Sequence, residues 1–147
     1  MINTIRPKEA DPDTFAYKIS KQVDSLLVEG FKIENITLLG ASKGAYITLL
    51  ANANYIKKNL NTVVLGICGE DFIRYFTSNN LFVYGNVLSI YESSDDLGKT
   101  CEGLNKGPFI QNFKEITLNT GLKHGFLFKS SSTWIQPSLK WAKNDFE

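Results

Sequence analysis

Apolar residues occur along this chain in two patterns, short uninterrupted runs and longer stretches in which they recur every three or four positions. Short runs rich in β-branched residues are typical of strands in a parallel sheet, whereas recurrence at three and four is typical of an amphipathic helix. The runs predict five strands, at residues 2–6, 36–39, 62–68, 87–91 and 114–119. Because the chain begins within the first of these predicted strands, we expect that sequence upstream of residue 1 is missing.

Two helices are predicted in the first half of the chain. The first begins with Asp11 as its N-cap and Pro12 at its first position, presents one apolar face, and ends at Gly30. The second, over residues 43–53, carries small and apolar residues on most sides, which is typical of a buried helix.

Two further helices are predicted in the second half. One covers residues 71–77, and the other is capped by Ser131 or Ser132 near the carboxyl terminus. Because Pro137 lies near the first turn of that last helix, we expect the helix to start late or to kink. Strands that alternate with helices predict a three-layer α/β fold with a mostly parallel sheet, formed as a single domain by residues 1–147.

Composition and charge exclude some classes of partner. The formal net charge is +1, with 43% hydrophobic and 21% charged residues, which is ordinary for a globular protein. Such a chain has no strong attraction to nucleic acid or an anionic membrane, so we expect neither as a partner. No apolar run reaches the length of a membrane span and no signal-peptide pattern is visible, so the localisation is undetermined and is taken as cytoplasmic by default. A homo-oligomer stays open.

The cysteines and the single histidine do not form a metal-binding pattern. Cys68 and Cys101 lack C-x-x-C spacing, and His124 is the only histidine in the chain, so we expect no zinc site. A disulfide between the two cysteines is left open.

The residues between the second strand and the second helix carry the strongest chemical signal. Gly40-Ala41-Ser42-Lys43-Gly44 has the pattern G-x-S-x-G, in which a strand turns sharply into a helix with a serine at the apex. We expect the residues two before and two after the serine to be small because larger side chains would collide across so tight a turn. The hydroxyl then projects near backbone N–H groups and a helix N-terminus. We therefore interpret Ser42 as a nucleophile.

A serine hydroxyl needs a base that removes its proton during attack, and histidine is the commonest such base. His124 follows the last predicted strand, and Asp95 follows the strand before it. Because the carboxyl ends of parallel strands meet at one edge of a sheet, Ser42, Asp95 and His124 are expected to converge there. This order predicts a catalytic triad in which Asp95 orients His124.

With this order of residues the chain resembles the α/β-hydrolase family. The segments that carry the resemblance, in order along nearly the whole chain, are the nucleophile turn at residues 40–44, the acid-bearing strand and loop at residues 88–95, and the histidine loop at residues 122–126. The resemblance implies serine hydrolase chemistry, usually on esters, through an acyl-enzyme and without a cofactor or metal. It also implies that the backbone N–H of Lys43 is one oxyanion donor. In the family the acid commonly comes three residues after the position of Glu92, which favours Asp95 over Asp96.

The chain departs from the family pattern at its amino end. Family sheets usually carry a further strand between the one that matches residues 2–6 and the nucleophile strand, and the loop after it supplies the second oxyanion N–H. No such strand or loop is recognisable here. The chain is then a fragment, a weak or inactive member, or a protein whose second donor comes from elsewhere, with residues 6–8 as the candidate. We expect residues 2–6 either to pair directly with residues 36–39 or to leave a gap that a partner chain fills.

Each signal also has a simpler interpretation. Ser42 alone is consistent with a helix-capping serine, His124 with a surface or packing histidine, and Asp95 with a turn-forming aspartate. The other candidate acids, in order of preference, are Asp96 and then Glu70 or Asp71.

The sequence thus predicts a serine hydrolase that acts on a small-molecule ester or acyl substrate. The alternative is a non-catalytic or degenerate α/β-hydrolase module that serves in binding or assembly. A flavodoxin-like or nucleotide-binding domain that holds phosphate at residues 40–44 is disfavoured, because the turn lacks both the G-x-G-x-x-G and the G-K-[ST] patterns.

Overall fold

A parallel sheet of four strands forms the centre of the fold, and the computed structural model describes residues 1–147. The strands are β1 (Thr37–Ala41), β2 (Asn61–Leu65), β3 (Gly85–Glu92) and β4 (Ile110–Leu118). Their order across the sheet is their order along the chain, and every neighbouring pair is parallel. All four strands therefore end at the same edge of the sheet, where the loops that follow them meet.

Four α-helices connect or follow the strands. They are α1 (Pro12–Val28), α2 (Lys43–Leu50), α3 (Glu70–Ser78) and α4 (Ser132–Trp141), and α2 continues as a π-helical segment over Ala51–Ile56. Short 3₁₀ helices cover Ile33–Asn35, Glu102–Lys106 and Lys123–Phe128. The N-cap predicted for α1 is confirmed, because the Thr14 N–H donates to Asp11 Oδ2 over 2.8 Å. Ser131 caps α4, which begins at Ser132, so Pro137 lies inside the helix and does not delay its start.

Helices cover both faces of the sheet. Val64 packs on one face with Leu49 of α2 and Phe76 of α3, and α1 packs in turn against α2. Val63 points to the other face, where it packs near Trp141 of α4. Alternate residues of β2 thus face opposite layers, as the pleat of a strand requires. The predicted three-layer α/β fold is confirmed, with four strands.

The first strand is an edge strand with one uncovered face. Leu38 packs toward α1 and α2, whereas Leu39, which points to the opposite face, is 53% exposed. In the sheet Leu39 aligns with Val63 of β2 and Leu88 of β3, and both of these are fully buried. Leu39, Val63 and Leu88 form an apolar row on the face of the sheet that α4 covers. Because α4 packs against β2 and β3, this row is covered at those two strands and exposed at β1.

The strand predicted at residues 2–6 is not formed, and this prediction was wrong. Residues 1–7 form neither helix nor strand, and Ile2 and Ile5 are 61% and 82% exposed. A strand is stable only where its backbone groups pair with a neighbour and its apolar side chains reach the core. Residues 2–6 do not pair with β1, so the direct pairing that the sequence left open does not occur.

Candidate active site

The turn from β1 into α2 holds Ser42 in an unusual backbone conformation at the carboxyl edge of the sheet. Its φ is 51° and its ψ is −124°, a combination that residues other than glycine rarely adopt. The Ser42 N–H donates to the Leu65 carbonyl over 2.9 Å. The Ser42 carbonyl accepts from the N–H groups of Ala45 and Tyr46 over 2.9 and 3.1 Å. Hydrogen bonds to β2 and to α2 thus hold the strained residue on both sides.

Glycine is required on only one side of this turn. A Cβ at Gly40 would lie 2.4 Å from the carbonyl oxygen of Gly44, so no larger residue fits without a backbone shift. A Cβ at Gly44 would meet no atom within 4 Å. The expected collision across the turn is confirmed at Gly40, whereas at Gly44 it does not arise for a residue of the size of alanine.

The side chain of Ser42 contacts a histidine instead of capping the helix. It makes no capping hydrogen bond to α2, and its Oγ lies 2.9 Å from Nε2 of His124. The other ring nitrogen, Nδ1, lies 2.7 Å from Oδ2 of Asp95. With the ring proton on Nδ1, His124 donates a hydrogen bond to the carboxylate of Asp95 and accepts one from the Ser42 hydroxyl at Nε2. The structure therefore brings together all three side chains that were predicted to meet.

Asp95 lies in a setting that keeps it ionised. The side chain is fully buried, and its Oδ1 accepts a hydrogen bond from the Leu97 N–H over 2.9 Å. Burial raises the pKa of Asp95, but the hydrogen bonds from Leu97 and His124 outweigh it and hold the pKa below its ordinary value. A carboxylate at this position favours the tautomer of His124 that carries its proton on Nδ1.

The other candidate acids do not contact the histidine ring. Asp96 is exposed and forms a surface ion pair with Lys123, whose Nζ lies 3.6 Å from Oδ2. Asp71 lies in the first turn of α3, where its Oδ1 is 3.2 Å from a guanidinium nitrogen of Arg74. The geometry therefore selects Asp95 as the partner of His124.

Close backbone packing and a disulfide hold the loop that carries Asp95. A Cβ at Gly98 would lie 2.3 Å from the carbonyl carbon of Gly66, so the loop after β3 lies directly on the end of β2. Cys68 and Cys101 form a disulfide, which the sequence had left open. Together these contacts tie the part of this loop that follows Asp95 to the chain that follows β2.

One buried carboxylate beside these loops had no role assigned from the sequence. Glu92 is the last residue of β3, is fully buried, and accepts hydrogen bonds from the loops after both β3 and β4. The signal that points to it is a single charged residue at the end of an otherwise uncharged strand, three positions before Asp95. Such residues are rarely buried unless they are well partnered.

The backbone N–H of Lys43 directly follows Ser42. Lys43 is the first residue of α2, and the first N–H groups of a helix have no acceptor within the helix. The Lys43 Nζ donates to the carbonyl of Lys8 over 3.3 Å, so the Lys8 carbonyl lies within reach of the Lys43 side chain. A carbonyl accepts hydrogen bonds and does not donate them, so this contact does not identify an oxyanion donor. A donor from residues 6–8 stays a prediction.

Neither of two cavities, of about 210 and 190 Å³, includes the three side chains of this constellation in its lining. No group of three His, Cys, Asp or Glu side chains is arranged to hold a metal ion. None of the helices has the length and apolar character that crossing a bilayer requires.

Comparison with known proteins identifies the fold. No family model and no curated protein matches the sequence. Among solved structures, the chain is similar to SOBER1 from Arabidopsis thaliana, with 18% identity over 97% of this chain and 68% of that one, and a TM-score of 0.66. Structures of two single-residue variants of SOBER1 match over the same shares with 19% identity and TM-scores of 0.65 and 0.60. The predicted fold class, a three-layer fold of the α/β-hydrolase type, is thereby confirmed.

Proposed function

We propose that this protein is a serine hydrolase that cleaves carboxylic esters through an acyl-enzyme. The observation that carries the proposal is the hydrogen-bonded chain from Ser42 Oγ through His124 to the buried carboxylate of Asp95. The strained φ of Ser42 supports it, because strain of this kind is concentrated at functional sites. The fold adds only analogy, since one fold hosts many activities.

In the proposed reaction Ser42 Oγ attacks the carbonyl carbon of the ester while Nε2 of His124 takes the hydroxyl proton. The carbonyl electron pair moves to oxygen and forms a tetrahedral oxyanion. When this intermediate collapses, the bond to the alcohol oxygen breaks and His124 returns the proton to that oxygen. Water then attacks the acyl-enzyme, gives its proton to His124, and releases the carboxylic acid as the proton returns to Ser42.

Two further groups have defined roles in this proposal. Asp95 holds the ring of His124 with Nδ1 protonated and stabilises the imidazolium while it carries the transferred proton. The backbone N–H of Lys43 donates to the oxyanion, and loss of one such donor typically costs about 2.7–4 kcal/mol of transition-state stabilisation. The substrate is a small-molecule ester or another acyl compound, and no cofactor or metal takes part.

A fluorophosphonate probe tests the proposal directly, because it reacts only with an activated serine. We expect the wild type to be labelled and to hydrolyse a p-nitrophenyl ester. The Ser42→Ala and His124→Ala variants should show neither labelling nor hydrolysis. Ser130→Ala removes an exposed serine outside the triad and serves as the matched control, which should label as the wild type does. A folded wild type that does not label, or a Ser42→Ala variant that still labels, contradicts the proposal.

The second candidate function is a non-catalytic module for binding or assembly. The observation that favours it is the open edge and uncovered face of β1, where Leu39 is 53% exposed beside the nucleophile turn. This candidate gains support if the folded wild type neither labels nor hydrolyses esters, and it includes the homo-oligomer that the sequence left open. Sedimentation of the wild type over a range of concentrations distinguishes a self-associating chain from a monomer.

A further inference from the structure

The loops after β3 and β4 meet at one buried side chain, that of Glu92. Transfer of a carboxylate out of water is costly unless hydrogen bonds replace the lost hydration. Glu92 is 0% exposed, and no lysine, arginine or histidine forms an ion pair with it. Its charge is therefore balanced by neutral donors alone.

Three of those donors come from the loop that leads to His124. Glu92 Oε2 accepts from the Thr120 hydroxyl over 2.6 Å and from the Thr120 N–H over 3.0 Å. Oε1 accepts from the Gly121 N–H over 3.3 Å. These bonds fix the start of the histidine loop directly after β4.

The remaining donors come from the loop that leads to Asp95. Oε1 of Glu92 accepts from the Ser94 hydroxyl over 3.1 Å and, at 3.4 Å, from the Ser94 N–H and the Ser93 hydroxyl. The Ser94 Oγ in turn accepts from the N–H of Lys123 over 3.2 Å. The Glu92 carboxylate thus holds Ser94, the residue before Asp95, and Ser94 in turn holds Lys123, the residue before His124.

We propose that Glu92 is a positioning residue that sets the distance between Asp95 and His124 by binding both of their loops. Its effect on catalysis rests on the proposed function, whereas its effect on the Asp95–His124 contact does not. Without the carboxylate, the hydrogen bonds that remain here run from the Lys123 N–H to the Ser94 hydroxyl and from the Ser93 N–H to the Leu118 carbonyl at the end of β4. The two loops are then held together by fewer hydrogen bonds, and the distance between His124 Nδ1 and Asp95 Oδ2 is less firmly fixed.

The ionised form of Glu92 is the one that these contacts require. Burial raises the pKa of Glu92, but the hydrogen bonds from Thr120 and Ser94 outweigh it and lower the pKa to about 2. An amide at this position keeps the shape but has a single acceptor oxygen, and its NH₂ group faces N–H donors. Glu92→Gln is therefore the variant that removes the function of the carboxylate with the least change in volume.

The experiment compares Glu92→Gln with Asp96→Asn, a control that removes an exposed carboxylate from the same loop. We expect Glu92→Gln to slow fluorophosphonate labelling by roughly 10- to 100-fold, since small displacements of catalytic groups have effects of this size. Asp96→Asn should label at the wild-type rate. Val87→Ala, a buried change in the same strand, controls for destabilisation and should also keep its rate at a temperature where every variant is folded.

Proton NMR gives a second readout that does not depend on catalysis. Because His124 is the only histidine, the low-field signal of its Nδ1 proton, bound to Asp95, is assigned without ambiguity. We expect this signal to broaden or disappear in Glu92→Gln and to persist in Asp96→Asn and Val87→Ala. If the wild type does not label but this signal depends on Glu92, the proposed function fails and the positioning role stands.

A folded Glu92→Gln variant that labels at the wild-type rate and keeps the signal overturns the inference. If Glu92→Gln does not fold, Ser94→Ala decides the question, because it removes the hydroxyl that joins Glu92 to the Lys123 N–H. Ser94→Ala should give a smaller change in the same direction in both readouts, and unchanged readouts overturn the inference in that case too.

Discussion

The two sides of Ser42 are built in different ways. On one side, the loops after β3 and β4 are joined by hydrogen bonds to Glu92 and by the bond between Asp95 and His124. On the other side, β1 is an open edge, Leu39 is 53% exposed, and residues 1–7 form no regular structure. The contacts among Ser42, His124 and Asp95 are therefore specified within this chain, whereas the region expected to bind the oxyanion borders an edge that this chain leaves uncovered.

The largest effect on the labelling rate should come from replacing Asp95, on the side of Ser42 that is held by the loops after β3 and β4. Asp95→Asn replaces a buried acceptor with an amide and should slow fluorophosphonate labelling by about 10³- to 10⁴-fold, because the ring of His124 loses its orienting charge. Asp96→Asn should have little effect, since Asp96 is exposed and contacts only Lys123. Equal losses in the two variants would show that the acid is assigned to the wrong residue.

Leucine-to-alanine substitutions in the covered and uncovered parts of the sheet should change the free energy of unfolding by different amounts. Leu88→Ala in the covered row should lower the free energy of unfolding by about 2–5 kcal/mol, because it leaves a cavity in the core. Leu39→Ala, in the same row at the open edge, should cost less than about 1 kcal/mol. Urea unfolding measures both values. A large loss for Leu39→Ala would mean that β1 is covered in solution.

A smaller effect is expected in the pH dependence of stability. The pKa of Glu92 falls from an ordinary 4.5 to about 2 in the folded protein, so its stabilising contribution is complete above the ordinary value and is lost as the pH falls towards 2. Asp95, whose pKa is also lowered, contributes in the same direction. Urea unfolding between pH 5 and 2.5 should show a weaker pH dependence for Glu92→Gln than for the wild type.

The matched control for that measurement is Glu29→Gln, which removes an exposed carboxylate at the end of α1. Its unfolding free energy should follow the wild-type curve throughout this range. If Glu92→Gln and the wild type lose stability in parallel, the carboxylate of Glu92 is not the group that titrates there.

The three residues of the candidate site could be predicted to lie near one another because their approximate positions follow from the topology. Ser42, Asp95 and His124 each follow a strand of one parallel sheet, so their loops meet at the shared edge. Their catalytic roles remain predictions. The part played by Glu92 could not be inferred in this way, since its partners include backbone N–H groups of Thr120 and Gly121 that become neighbours only when the loops fold.

Two expectations failed because they used local sequence where distant contacts decide the outcome. Residues 2–6 have the composition of a strand but no neighbouring strand with which to pair. Gly44 fits the motif, yet the space beside it is empty, and only Gly40 faces backbone across the turn. The pairing of Cys68 with Cys101 likewise depends on the loop between β3 and β4 returning to the end of β2.

The disulfide makes part of this protein a covalently closed ring. Cys68 and Cys101 are 33 residues apart, and the ring they close contains α3, β3 and Asp95, but neither Ser42 nor His124. In a chain-entropy description, a ring of this size restricts the unfolded chain enough to stabilise the folded one by about 4 kcal/mol at 25 °C. Reduction of the disulfide therefore opens the ring that holds Asp95, whereas Ser42 and His124 lie on chain outside the ring.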